Sequence, residues 1–330
     1  MDANKTTAAT IALVIGSLFF SKMSFAVHST IEDATQLKNR IIYQQSPIHE
    51  LENPIKKSIV LPVSRGFDQQ KTCLCWSYAF FNALETLYLS RHPGESLELS
   101  RGTMQFLNLE DRINLKITGA EDHLDPGRYK NCWAEGGTPL SAAYIMNQSG
   151  ALPYNDYHDV ISPPDYANMY YRIFADGTTS AQQKATSDSL LPAYFGYNIP
   201  TRTYFNKQWL SRSDFVKQIM PEGKWTTYAI SKNNKDYTGP GLDPDARRSE
   251  QTHFVSKKKF LKKMNRSLEN GHPIIYSNDH HVILIYGADY NDKNEIVRFY
   301  IKDSYERLGY FYKSDFKKTM DELMEITLLE

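Results

Sequence analysis

The chain has 330 residues, with 38 basic and 38 acidic side chains, 41% hydrophobic and 13% aromatic residues. Zero formal charge, with neither half strongly basic, argues against nucleic acid or an anionic membrane as a partner. The apolar content suits a globular body with a substantial core and excludes a disordered chain.

At the N-terminus, Lys5 precedes a mostly apolar run from Ala8 to Phe20, and Ser24-Phe25-Ala26 offers the small residues that suit signal peptidase. The run is too short to span ~30 Å of hydrocarbon. Residues 1–26 therefore read as a cleaved signal peptide, and the protein as secreted or periplasmic, with no membrane association after the leader is removed. Residues 27–57 are polar apart from a helix-compatible stretch, Ile31 to Tyr43, and read as a short propeptide or an N-terminal extension. The body is 58–330, enough for one large domain or two lobes.

Export places the three cysteines, Cys73, Cys75 and Cys132, in an oxidising compartment, where an odd count leaves one internal disulfide and one free thiol, or an intermolecular bridge. Cys75 is the expected free thiol. A helix-compatible segment, Trp76 to Leu89, follows it, and the positive end of a helix dipole favours thiolate over thiol.

That first helix should end near Ser90, where Pro93 and Gly94 stop it. Ser100 caps a second helix to about Leu109. Pro139 opens a third that ends before Gly150. Residues 151–255 are rich in Tyr, Asp, Asn and Pro and read as insertions around a cleft, with helix signals near Pro164–Phe174 and Arg212–Met220 and turns near 239–245. A helix near Ser256–Leu268 places Phe260, Met264 and Leu268 on one inward face, so its lysines form a solvated face rather than a binding patch. Strands follow at Pro273–Tyr276, His281–Tyr286, Ile296–Lys302, Tyr310–Tyr312 and Ile326–Leu328, with Asn291–Asn294 as a hairpin turn. A helical half followed by an antiparallel β-rich half is an α+β chain of two lobes.

The chemistry-bearing residues are Cys75, ahead of a helix, and His280-His281, opening a strand. With Gln69 through Leu89, Gly136-Gly137 and its helix, Leu268 through Ile275, His281 through Asp289, and Tyr300 through Tyr305, in that order, the chain resembles the papain-like cysteine peptidases, nearer the divergent bacterial members and the bleomycin-hydrolase branch. The blocks cover less than a third of the residues. The resemblance implies a two-lobe fold with the active-site cleft between the lobes. Cys75 would be the nucleophile, His281 the base and acid, Asp303 its orienter and Gln69 the oxyanion-hole amide. Gln70 competes with Gln69, and His280 with His281; Gly287, six residues after His281, favours His281. Gly136 and Gly137 would pair with an extended substrate backbone, and Pro139 and Val282 would line an apolar specificity pocket.

Three positions depart from the family. Asp303 stands where asparagine is usual, and its charge should raise the histidine pKa. Tyr305 replaces the tryptophan that shields the histidine's partner. Cys73 lies two residues before Cys75 instead of three. The resemblance still implies a Cys73–Cys132 disulfide, with a strained Cys73–Cys75 bridge as its competitor.

The expected function is a monomeric, secreted thiol peptidase, made as a zymogen if 27–57 is a propeptide, with a peptide or protein substrate and no metal or organic cofactor. The alternatives are a thiol acyltransferase or amidase acting on a non-protein substrate, and a catalytically silent papain-like module that binds a partner.

Overall fold

The computed structural model describes residues 42–43, 55–70, 72–119, 137–157, 163–195, 199–230, 252–278, 281–312 and 324–330. The expected signal peptide, nearly all of 27–57, Cys132, Gly136, His280 and the turns near 239–245 lie outside the described residues.

Helix α1 (Cys75–Arg91) runs through the middle of the molecule, with Trp76 through Tyr88 all buried. Both of its faces meet protein, so it reads as a continuous apolar run. Helix α2 (Arg101–Ile117) starts where Ser100 accepts a hydrogen bond from the Thr103 amide, and it runs eight residues beyond the expected Leu109. Helix α3 (Pro139–Ser149) opens with a capping box between Thr138 and Ser141 and closes at Gly150. Helices α4 (Pro163–Ile173) and α5 (Ser180–Phe195) pack on α2 through Leu109, Ile113, Met169, Ile173, Leu190, Leu191 and Phe195.

A two-stranded hairpin, β3 (Arg202–Phe205) and β4 (Gln208–Ser211), leads into α6 (Arg212–Ile219). With α5, it gives the central insertion a regular structure that the sequence did not announce.

The second half forms one large, mostly antiparallel sheet. Its strands are β1 (Ile42–Tyr43), β2 (Lys57–Val60), β5 (Trp225–Ile230), β6 (Thr252–Phe254), β7 (Ile274–Asn278), β8 (Val282–Tyr290), β9 (Ile296–Lys302), β10 (Leu308–Tyr312) and β11 (Met324–Leu329). The order is β1-β10-β9-β8-β7-β11-β5-β6, with β2 also paired to β8 and, among the described strands, only β5–β6 parallel. Ile42 and Tyr43 were the end of a helix-compatible stretch, yet they add a strand to β10, whose open edge satisfies their backbone groups.

Strand β8 organises the sheet. Its first half pairs with β7 (Ile274↔Ile285 to Ser277↔Val282) and its second half with β2 (Lys57↔Tyr290 to Val60↔Gly287), while β9 runs along its other side. A Cβ at Gly287 would lie 2.4 Å from the Ile59 carbonyl oxygen, so the approach of β2 requires glycine there. Helix α7 (Lys257–Glu269) covers one face of the sheet with Phe260, Met264 and Leu268, each essentially fully buried. Each such side chain contributes about 1.5–3 kcal/mol. The other face meets α1 through Ile275, Val282, Leu284 and Tyr286, and this second core joins the helical and β-rich halves. Among the described residues, no helix is long and apolar enough to cross a membrane.

Candidate active site

Cys75 is the first residue of α1 and is partly exposed among otherwise buried neighbours. Leu74 in the cap position supplies no side-chain oxygen, and the first turn contains no acidic residue. The positive end of the helix is therefore not neutralised locally, the environment in which a sulfur anion is best held. Cys75 is free, whereas Cys73 is in a disulfide.

His281 immediately precedes β8. Its Nε2 donates to Asp303 Oδ1 at 2.7 Å, and the ring also hydrogen-bonds Cys75. With Nε2 engaged, Nδ1 is the nitrogen left for the sulfur. Asp303 follows β9, is 1% exposed, and accepts at the same Oδ1 from the Ser304 amide (2.6 Å) and hydroxyl (3.2 Å). Its own amide donates to the Arg307 carbonyl, which fixes the loop. The imidazole just before β8 and the carboxylate just after β9 thus come from the same end of the paired strands, where Leu284 lies opposite Lys302.

Burial by itself lowers the His281 pKa. The hydrogen bonds and charges of Asp303 and Cys75 outweigh it and raise the value from 6.5 to about 10. Imidazolium is therefore the form held near neutral pH, the direction expected when aspartate replaces asparagine.

Gln69 is 3% exposed on a strap that crosses from β2 to α1. Its amide donates to the Ser304 carbonyl at 2.7 Å, and Asp68 forms a β-bridge with Tyr305, so the strap is stitched to the loop that bears Asp303. The Gln69 Nε2 donates to the Thr72 carbonyl (2.8 Å) and to the Tyr305 hydroxyl (3.3 Å), while Oε1 is buried with no partner among the described residues. The Tyr305 ring lies nearly parallel to that of His281, at 18° with centroids 5.8 Å apart. Gln70, the competitor, has a positive φ of 54° and bonds through its amide to Asp68.

Beneath these groups is a buried ionic network. Arg101 and Glu85 pair at 2.5 Å with side chains 2% and 0% exposed, and Arg101 also donates to Asn82 and the Leu99 carbonyl. Ser64 donates to Glu85. Lys302, one residue before Asp303, donates to Ser64 Oγ (2.7 Å) and to the carbonyls of Ser64 (3.0 Å) and Arg65 (2.8 Å). Burial pushes the Lys302 ammonium down to about 8. Sequence reasoning missed this network. Its only signal was a lysine ending the strand Ile296–Lys302 and a glutamate within an apolar helix.

Of the remaining expected residues, Gly137 lies against Trp76, and a Cβ there would sit 2.6 Å from the indole. Pro139 and Val282 are both buried. Among the described residues, no group of three or more His, Cys, Asp or Glu side chains is placed to hold a metal.

The same arrangement of helices and sheet occurs in a solved structure of PepW from Lactobacillus rhamnosis. It covers 100% of this chain and 93% of its own, at 13% identity and a TM-score of 0.59. The fold is papain-like. Xylellain, a cysteine protease from Xylella fastidiosa, is similar over 87% of this chain and 91% of its own, at 12% identity; its TM-score of 0.41 is too low to carry an argument. No family model and no curated protein matches the sequence. The papain-like likeness is therefore one of fold.

Proposed function

We propose that the protein is an exported thiol peptidase in which Cys75 attacks the peptide carbonyl. The observation that carries this reading is the continuous contact Cys75–His281–Asp303 at the uncapped start of α1. The thiolate forms a C–S bond and moves the carbonyl electrons onto oxygen. The Cys75 backbone N–H and the Gln69 carboxamide receive that charge, an interaction whose loss costs about 10²–10³ in rate. His281, held as imidazolium, gives its proton to the leaving amine as the C–N bond breaks. Neutral imidazole then takes a proton from water, which hydrolyses the thioester and regenerates the pair. Asp303 keeps Nε2–H occupied, so the ring presents Nδ1 to the sulfur.

Gly136 and Gly137 are the positions assigned to pairing with an extended substrate backbone, and Pro139 and Val282 those assigned to an apolar pocket for one of its side chains. A Cys73–Cys132 disulfide ties the strap to the segment before α3 and leaves Cys75 reduced. Residues 1–26 direct export, and residues 27–57 are a propeptide or an N-terminal extension, the latter supported by the pairing of Ile42–Tyr43 and Lys57 with the sheet. The peptidase body, 58–330, acts as a monomer.

The test is hydrolysis of a mixed peptide library by the purified chain, with the acyl-enzyme trapped by acid quench and located by mass spectrometry. Cleavage that requires Cys75, with acyl mass on its peptide, supports the reading. Transfer of acyl groups to added amines with no peptide cleavage would move the function to an acyltransferase.

A further inference from the structure

The Gln69 carboxamide is buried and unevenly satisfied, and that asymmetry identifies what orients it. Nε2 has two hydrogens and two acceptors within reach, Thr72 O at 2.8 Å and the Tyr305 hydroxyl at 3.3 Å, while Oε1 has no partner among the described residues. Turning the amide over would put Oε1 against the Thr72 carbonyl, oxygen facing oxygen, so the carbonyl fixes which end is NH₂. The Thr72 contact is of ordinary length and lies within the strap. The Tyr305 contact is longer than the usual 2.9–3.0 Å and reaches across from the loop that bears Asp303.

We propose that Tyr305 is a positioning residue for the oxyanion donor, an inference that rests on the hydrolase reading above. Its hydroxyl accepts the second Nε2 hydrogen in the resting protein and yields it when an oxyanion forms. A 3.3 Å bond to a neutral phenol is easily exchanged for one to a charged oxygen, since charge-assisted bonds are roughly twice as strong. No covalent bond changes at Tyr305, and no proton leaves it. The side chain is itself fixed: its backbone bridges to Asp68, its ring lies along His281, and the Arg307 guanidinium sits over it at 5.7 Å. One residue thus holds the amide in register with the imidazole. A tryptophan here could cover the histidine but has no acceptor oxygen for the amide.

The test compares two reactions at Cys75. Acylation by p-nitrophenyl acetate passes through an oxyanion, whereas alkylation by iodoacetamide does not. Tyr305→Phe keeps the ring and removes only the hydroxyl. It should slow acylation about 3–10-fold, the worth of one ordinary hydrogen bond, and leave the alkylation rate at the wild-type value. In a Gln69→Ala background the same change should have no further effect on acylation, because the hydroxyl acts only through the amide.

Acylation by Tyr305→Phe at or above the wild-type rate overturns the proposal, as does an equal loss in both backgrounds. A loss of alkylation matching that of acylation also overturns it, since it would place the effect on the thiol–imidazole pair. If wild-type Cys75 reacts in neither assay faster than glutathione, the hydrolase reading itself fails and takes this inference with it; that outcome is distinct from an active wild type with an indifferent Tyr305→Phe.

Discussion

Replacing Asp303 with asparagine removes one charge while keeping an oxygen for His281 Nε2 and for the Ser304 donors. In the native protein, burial works against the imidazolium, and the bonds and charges of Asp303 and Cys75 carry the pKa to about 10. Turning a charge-assisted bond, worth about 1.5–3 kcal/mol, into a neutral one, worth about half as much, forfeits about 1–1.5 kcal/mol. At 1.36 kcal/mol per unit, that lowers the His281 pKa by about 1 unit. The sign follows from the proton: imidazolium is the acid that serves the leaving amine, and it is lost as pH rises through its pKa. The alkaline limb of kcat/KM should therefore fall from about 10 to about 9 in Asp303→Asn. An imidazole ¹⁵N titration of the labelled protein should show the same displacement without any turnover. Stability responds in the same window. Because the folded pKa is raised, the contribution of His281 is complete below 6.5 and is lost as pH rises toward about 10. In Asp303→Asn that loss is complete earlier. An alkaline limb and a ¹⁵N titration that do not move, or that move upward, would refute the reasoning.

Other substitutions probe the scaffold. Glu85→Ala leaves Arg101 buried without its carboxylate, which should cost about 3–5 kcal/mol and be visible as a lowered urea midpoint; a midpoint within error of wild type would mean the network is not paired as described. Gly137→Ala drives a methyl to 2.6 Å from the Trp76 indole, and the displacement of Trp76, adjacent to Cys75, should cost about 1–3 kcal/mol and slow Cys75 alkylation; an alkylation rate equal to wild type would mean that Trp76 does not help to place the sulfur.

Much of the fold was legible because its signals are local. Ser100 caps α2, Pro139 and Gly150 bound α3, and Phe260, Met264 and Leu268 mark the buried face of α7. The insertion was less legible for equally local reasons. Helix α5 contains Pro192, which reads as a breaker, and few of its side chains are buried. The β3–β4 turn places Asn206 and Lys207 at φ of 47° and 63°, and a lysine there does not announce a left-handed turn. At the candidate site, Cys75, His281 and Asp303 followed from residue type, spacing and resemblance, and the structure brings them into contact. The Gln69–Tyr305 contact and the Lys302–Ser64–Glu85–Arg101 network join residues far apart in sequence. No periodicity encodes such pairs, because they depend on how the strap, the helix and the sheet meet.

The central claim is that Cys75 and His281 form an activated pair. Iodoacetamide treatment of the reduced-state-controlled protein near neutral pH, with the adduct mapped by mass spectrometry, tests it most directly. The account predicts rapid, selective modification of Cys75 that falls to the rate of an ordinary thiol in His281→Ala. Modification of Cys75 at the same rate with and without His281 would contradict it.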